Sequence, residues 1–160
     1  MFKQWLVYLG LIAVSGIASP AAAQSSGNYS EDLARVYGAH QRILALKEAC
    51  DEAVPSQRDG HDKAYAGWKK RHQPLLQDLD RRLTLMIRQA SKDQQEYSRN
   101  LGKYEGAILQ QRQDYKKDLL SLDTAELGQQ CGQLPAYLQG AEADFSKKYA
   151  EELQTIGKRR

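Results

Sequence analysis

Cysteine is scarce in this chain. Two in 160 residues are too few for a disulfide-dense small scaffold or a four-thiolate zinc site. Four Pro and twelve Gly exclude a collagenous chain or one disordered through Pro and Gly. Charge of a single sign is also missing, since 23 Lys and Arg face 20 Asp and Glu for a net of +3, too mild a balance to indicate a nucleic-acid binder by itself, and no nucleic-acid partner is expected. The motifs of common chemistries do not occur: no C-x-x-C-H haem attachment, no Glu-x-x-His pairs, no His-Glu-x-x-His, no Walker A or Gly-rich dinucleotide loop, and no G-x-S-x-G elbow. No cofactor and no metal are expected. The chain that is left, 41% hydrophobic and 27% charged, has the balance of one soluble globular domain.

Residues 1–23 read as a cleaved secretory signal. Lys3 gives the positive start, Trp5 to Ala18 an apolar run, and Pro20 precedes the small residues Ala21-Ala22-Ala23. A run of about 14 residues is short of the roughly 20 that span a bilayer. Cleavage after Ala23 leaves a single domain, 24–160, at a net of +2, with no membrane span and a periplasmic or secreted location.

Apolar residues then recur at helical spacing throughout, and no segment alternates with period two. Ser30 followed by Glu31 and Asp32 predicts a capped first helix that ends near 53, before Pro55. Ser56-x-x-Asp59 predicts the cap of a second, with Pro74 kinking or breaking it. A single helix over 57–122 would be about 98 Å long, too long for the rest of the chain to cover, so a reversal is expected near 90–95. Asp123-x-x-Glu126 predicts a short helix fading at Gly128 and Gly132, and Pro135 the start of a last helix running to Gly157. The fold expected is all-α: an antiparallel four-helix bundle with a longer central hairpin of helices two and three.

The two cysteines support that order. In an up-down-up-down bundle, Cys50 at the end of helix one and Cys131 before helix four fall at the same end. In an oxidising compartment they are expected to form one disulfide. If all four helices meet there, the hairpin of helices two and three projects past its neighbours, with residues 88–102 at its tip.

Three surfaces are candidates. His61, Tyr65, Trp68 and His72 share one helical face and form a possible ligand or metal cluster, although two His eleven residues apart are no metal motif and core packing explains them as well. Lys69, Lys70 and Arg71 make the second helix basic: residues 57–90 carry eight basic and four acidic groups, against three and five over 31–54. That stripe is either a docking patch or a solvated face beside an acidic helix. Tyr97, Leu101 and Tyr104 lie at i, i+4 and i+7 near the hairpin tip, either as an exposed gripping stripe or packed across the hairpin. The expected function is a non-enzymatic, exported protein-binding module with a protein partner in the cell envelope, as an adaptor or chaperone. The alternatives are an inhibitor or immunity protein that blocks a secreted or cell-wall-targeting enzyme, and a metal- or ligand-binding protein using His61 and His72.

Overall fold

The computed structural model describes residues 25–158, so the expected signal segment, 1–23, lies outside the described residues. Six α-helices follow one another: α1 (Tyr29–Ala53), α2 (Arg58–Gln89), α3 (Gln94–Leu120), α4 (Thr124–Gln139), α5 (Phe145–Lys148) and α6 (Ala150–Lys158). Tight 3-10 turns occupy Pro55–Gln57 and Ala141–Ala143, and no strand occurs among the described residues. The chain is all-α, as its periodicity predicts.

Several helix ends differ from the sequence reading. Asn28, not Ser30, caps α1, its side chain accepting from the Ser30 and Glu31 amides. Ser56 caps nothing, because Pro55 starts a 3-10 turn that delivers the chain straight into α2. Pro74 does not break α2, which runs through it for 32 residues. The reversal falls at 90–93, inside the expected window. It is marked by a feature the sequence reading passed over: Asp93 accepts from the Glu96 amide at 2.8 Å, and Glu96 reaches back to the Lys92 amide at 2.7 Å, a near relative of the capping box.

The largest departure is in the last third. α4 continues through Gly128, Gly132 and Pro135, and the expected final helix is broken after Gly140. Two helical glycines lose about 1 kcal/mol each against alanine, but continuing the helix buries Leu127, Cys131, Leu134 and Leu138. The break has its own partners. Trp68 Nε1–H donates to the Ala143 carbonyl at 2.7 Å, and the Phe145 N–H donates to His72 Nε2 at 3.3 Å. Backbone groups freed by the interruption are thus satisfied by α2 side chains rather than stranded. Arg71 and Arg82 add to this, donating to the Leu138 carbonyl at 2.6 Å and the Ile156 carbonyl at 2.8 Å, near the ends of α4 and α6.

Helix directions follow from these ties. Lys47 pairs with Asp62 and His40 with Tyr65, so α1 and α2 are antiparallel. Glu48 meets Arg112 and Glu52 meets Lys116 four residues further on, so α1 and α3 run the same way. The order is up, down, up, down, with α4 and α6 sharing the fourth position. Cys50 and Cys131 are bonded, with Cα atoms 5.2 Å apart, at the shared end that the topology requires. Trp68, Leu79, Leu134, Leu138, Phe145 and Ile156 are almost completely buried around α1.

Candidate binding cleft

The His and aromatic residues of α2 come together only in part. Tyr65, Trp68 and His72 stack in a row that His40 and Phe145 complete, with centroids 4.7 Å apart for Trp68 and His72 and 5.2 Å for Trp68 and Phe145. His72 has both ring nitrogens in use: Nδ1–H donates to the Trp68 carbonyl at 3.0 Å while Nε2 accepts from Phe145. It splices the broken limb onto α2. His61 stands apart, with Nδ1 3.2 Å from Asp51 and Nε2 3.2 Å from the Cys131 carbonyl, tying α1 to α4 beside the disulfide. Lys47 bridges Asp51 and Asp62 next to it. Among the described residues no group of three or more His, Cys, Asp or Glu could hold a metal ion.

The basic stripe also divides. Lys69 and Lys70 are exposed, whereas Arg71 is tied to α4 through the Leu138 carbonyl. At the hairpin tip Arg88 lies over the Tyr97 ring, 4.9 Å from its centroid. Leu101 and Tyr104 are half-buried and face recesses beside α3 rather than standing out from the hairpin.

Those recesses arise from how the helices meet. α3 packs mainly on α1 and less on α2, while α4 packs on α1 and α2. Although only 121–123 separate them in sequence, α3 and the α4–α6 limb scarcely touch. Among the described residues, one side of the bundle is therefore open. A cleft of about 690 Å³ lies there, floored by α1 at Ala34, Gly38 and Arg42, walled by α3 at Tyr104, Ile108 and Asp114, and bounded by Tyr149. A recess of about 220 Å³ shares Gly38, Arg42 and Asp114 and carries on to Tyr115 and Asp118. On the other flank of α3, a cleft of about 420 Å³ takes in Tyr37, Asp80, Leu101 and Arg112.

Tyrosine and arginine dominate the open side. Burial pushes the Tyr149 phenol up, and Arg42 and Arg35 beside it pull the other way. Burial does the same to Tyr137 of α4, with Tyr149 and Tyr115 nearby adding to the rise. Tyr37, between the two larger clefts, is pushed up to about 12 by burial and by Asp80 and Tyr104. Arg42 is exposed, its guanidinium 5.9 Å from the Tyr115 centroid. Arg35 reaches Glu152 at 3.4 Å, a carboxylate wholly buried in α6 whose Oε2 has no hydrogen-bond partner.

Of the residues singled out in the sequence, Tyr104 lines this cleft, and Tyr97, Lys69 and Lys70 lie away from it. Arg35, Gly38, Arg42 and Tyr149 were missed. Gly38 and Arg42 have one sequence signal, the ridge Ala34, Gly38, Arg42 at steps of four beside the apolar stripe that predicts α1; Arg35 and Tyr149 have none that marks them as part of a site. Compared with known proteins, the chain matches no family model, no curated protein and no solved structure. Any functional argument therefore starts from the cleft itself.

Proposed function

We propose that this chain is an exported, non-enzymatic protein-binding module of the cell envelope that holds its partner in the open cleft between α3 and the α4–α6 limb. The observation that carries the reading is the unmade side of the bundle, lined by Tyr104, Tyr149, Arg35 and Arg42 around a floor of small residues. Tyr and Arg are the residue types that concentrate binding energy at interfaces, because both offer large contact area together with hydrogen-bonding ends. The signal-like segment 1–23 supports the compartment. Among the described residues no helix is long and apolar enough to cross a membrane.

A compact cleft of mixed charge and aromatic character favours one tightly held partner over the broad apolar concavity of a promiscuous chaperone. An inhibitor or immunity protein that blocks a secreted enzyme fits that description as well as an adaptor does. Affinity capture from envelope extract tests the reading. Tyr149→Ala and Arg42→Ala should each release the captured partner, whereas the Lys69/Lys70→Ala pair should retain it. Equal capture by all of these variants would move the working surface away from the cleft.

A further inference from the structure

We infer that the cleft takes an acidic peptide segment, with a carboxylate seated at Arg42 and the peptide backbone laid over Gly38. The inference rests on reading the cleft as a protein-binding site and adds the chemistry of what enters it.

Arg42 is the first support. Its guanidinium is exposed and lies beside the Tyr115 ring, and although Asp114 and Asp118 share its recess, it forms no ion pair among the described residues. Five N–H donors in a planar fork match a carboxylate bidentately. An aromatic ring alongside limits the conformations of the side chain, so less entropy is lost when it binds. Arg35, about two helical turns away on the same helix, is engaged by the buried Glu152 carboxylate, which leaves Arg42 as the cation on the floor that can receive a carboxylate. Tyr149 lines the same cleft, within electrostatic reach of both.

Gly38 is the second. A glycine inside a helix is destabilising by about 1 kcal/mol against alanine, so its presence asks for a reason within the fold. None is visible, because a Cβ built there would meet nothing within 4 Å. The space above it is the cleft. A floor without a side chain, with Ala34 one turn earlier, lets an incoming backbone approach the helix closely.

The third is the distribution of charge across the cleft. The α1 floor carries Arg35 and Arg42, whereas the α3 wall carries Asp114, which accepts from Gln110 at 2.8 Å. An acidic side chain entering the cleft is drawn to α1 and repelled from α3, which orients the segment. The volume, about 690 Å³, is within the range of formed ligand sites, about 300–1,000 Å³, and the open side lets a chain enter and leave.

Panning the oxidised protein against a displayed library of random twelve-residue peptides tests the inference. The wild type should enrich sequences that place Asp or Glu beside aliphatic or aromatic residues. A resynthesised peptide from that set should lose at least tenfold in affinity to Arg42→Glu and recover when its acid is exchanged for Lys. Gly38→Leu should weaken the same peptide while unfolding at no lower temperature than the wild type, which separates a blocked floor from a damaged fold. A peptide with a free C-terminus compared with its amide tells a terminal carboxylate from a side-chain one. Enriched peptides without an acid, or affinity indifferent to Arg42→Glu, would overturn the carboxylate seat and leave the protein-binding reading intact. No enrichment at all, or binding confined to phosphatidylglycerol vesicles, would overturn both.

Discussion

α1 and α3 are close to the same length and lie side by side in the same direction, yet they are buried very differently. α1 has nine buried residues among 25, and α3 has one, Leu119, among 27. Both carry an apolar stripe, although α1 is the more apolar, with 13 hydrophobic residues among 25 against 9 among 27 in α3, and their cover differs as well. α1 is surrounded by α2, α3, α4 and α6, whereas α3 rests on α1, touches α2 and, among the described residues, has no helix packed along its far side. A stripe becomes core only where a second layer covers it. α3 keeps Tyr97, Leu101, Tyr104 and Ile108 half-buried and has clefts on both flanks. The well-packed half is thus the rigid part of the fold, and the loosely packed half is the part with room to move.

The sharpest way to break that contrast is to remove the staple. Replacing both Cys50 and Cys131 by Ser frees a loop of sequence separation 81 and should lower stability by about 4.5 kcal/mol in the chain-entropy account, read by urea unfolding, with helicity kept. Next is a pair of truncations. Trp68→Ala empties a fully buried site and strands the Ala143 carbonyl, so a loss of about 3–5 kcal/mol is expected. Ile108→Ala on α3 should lose only about 1 kcal/mol, the share of a half-buried aliphatic side chain. Equal losses would show that α3 belongs to the same core as Trp68.

How much of this was legible in the sequence follows the same division. α1, α2 and the disulfide end could be read from spacing because Leu33, Val36, Ile43, Leu76 and Leu79 each face a neighbour within one continuous core. The reversal could be placed by length alone, although Asp93 and Glu96 announce it. The fourth position was misread because Gly128, Gly132 and Pro135 look like breaks, while the true one, at Gly140, is settled by Trp68 and His72 from another helix. Tertiary partners outweighed local propensity there. The cleft could not be read at all, since it exists only because α3 and α4 part after a three-residue turn at 121–123.

Acid tests the seam between the halves. His40 of α1 hydrogen-bonds Tyr65 at 3.2 Å. Burial first, then Lys69 of α2 and Arg112 of α3, push its pKa down from the ordinary 6.5 to about 4. The unfolded chain takes up a proton near 6.5 that the folded chain refuses until about pH 4. The stability this group contributes is therefore complete above that upper value and drains away as pH falls through the window between the two. Thermal unfolding followed from pH 7 to 4 should show the decline. Arg112→Gln should shift its lower limit upward, because one of the cations that depress the ring sits on α3. An unchanged profile would mean that α3 stands too far off to be felt at His40.

The smallest expected effect separates the helices most directly. Gly38 of α1 and Gly106 of α3 both sit in helix interiors where an added Cβ meets nothing within 4 Å. Alanine at either position should stabilise its own helix by about 0.5–1 kcal/mol. For Gly38→Ala the gain should appear in full in global unfolding, since α1 cannot melt without the core. For Gly106→Ala it should register in the hydrogen exchange of α3 amides and fall short in global unfolding, provided α3 opens below the free energy of the whole domain. If both substitutions raise global stability equally, α3 unfolds with the scaffold as one unit, and the open side is a groove in a rigid body rather than the edge of a helix that can open on its own.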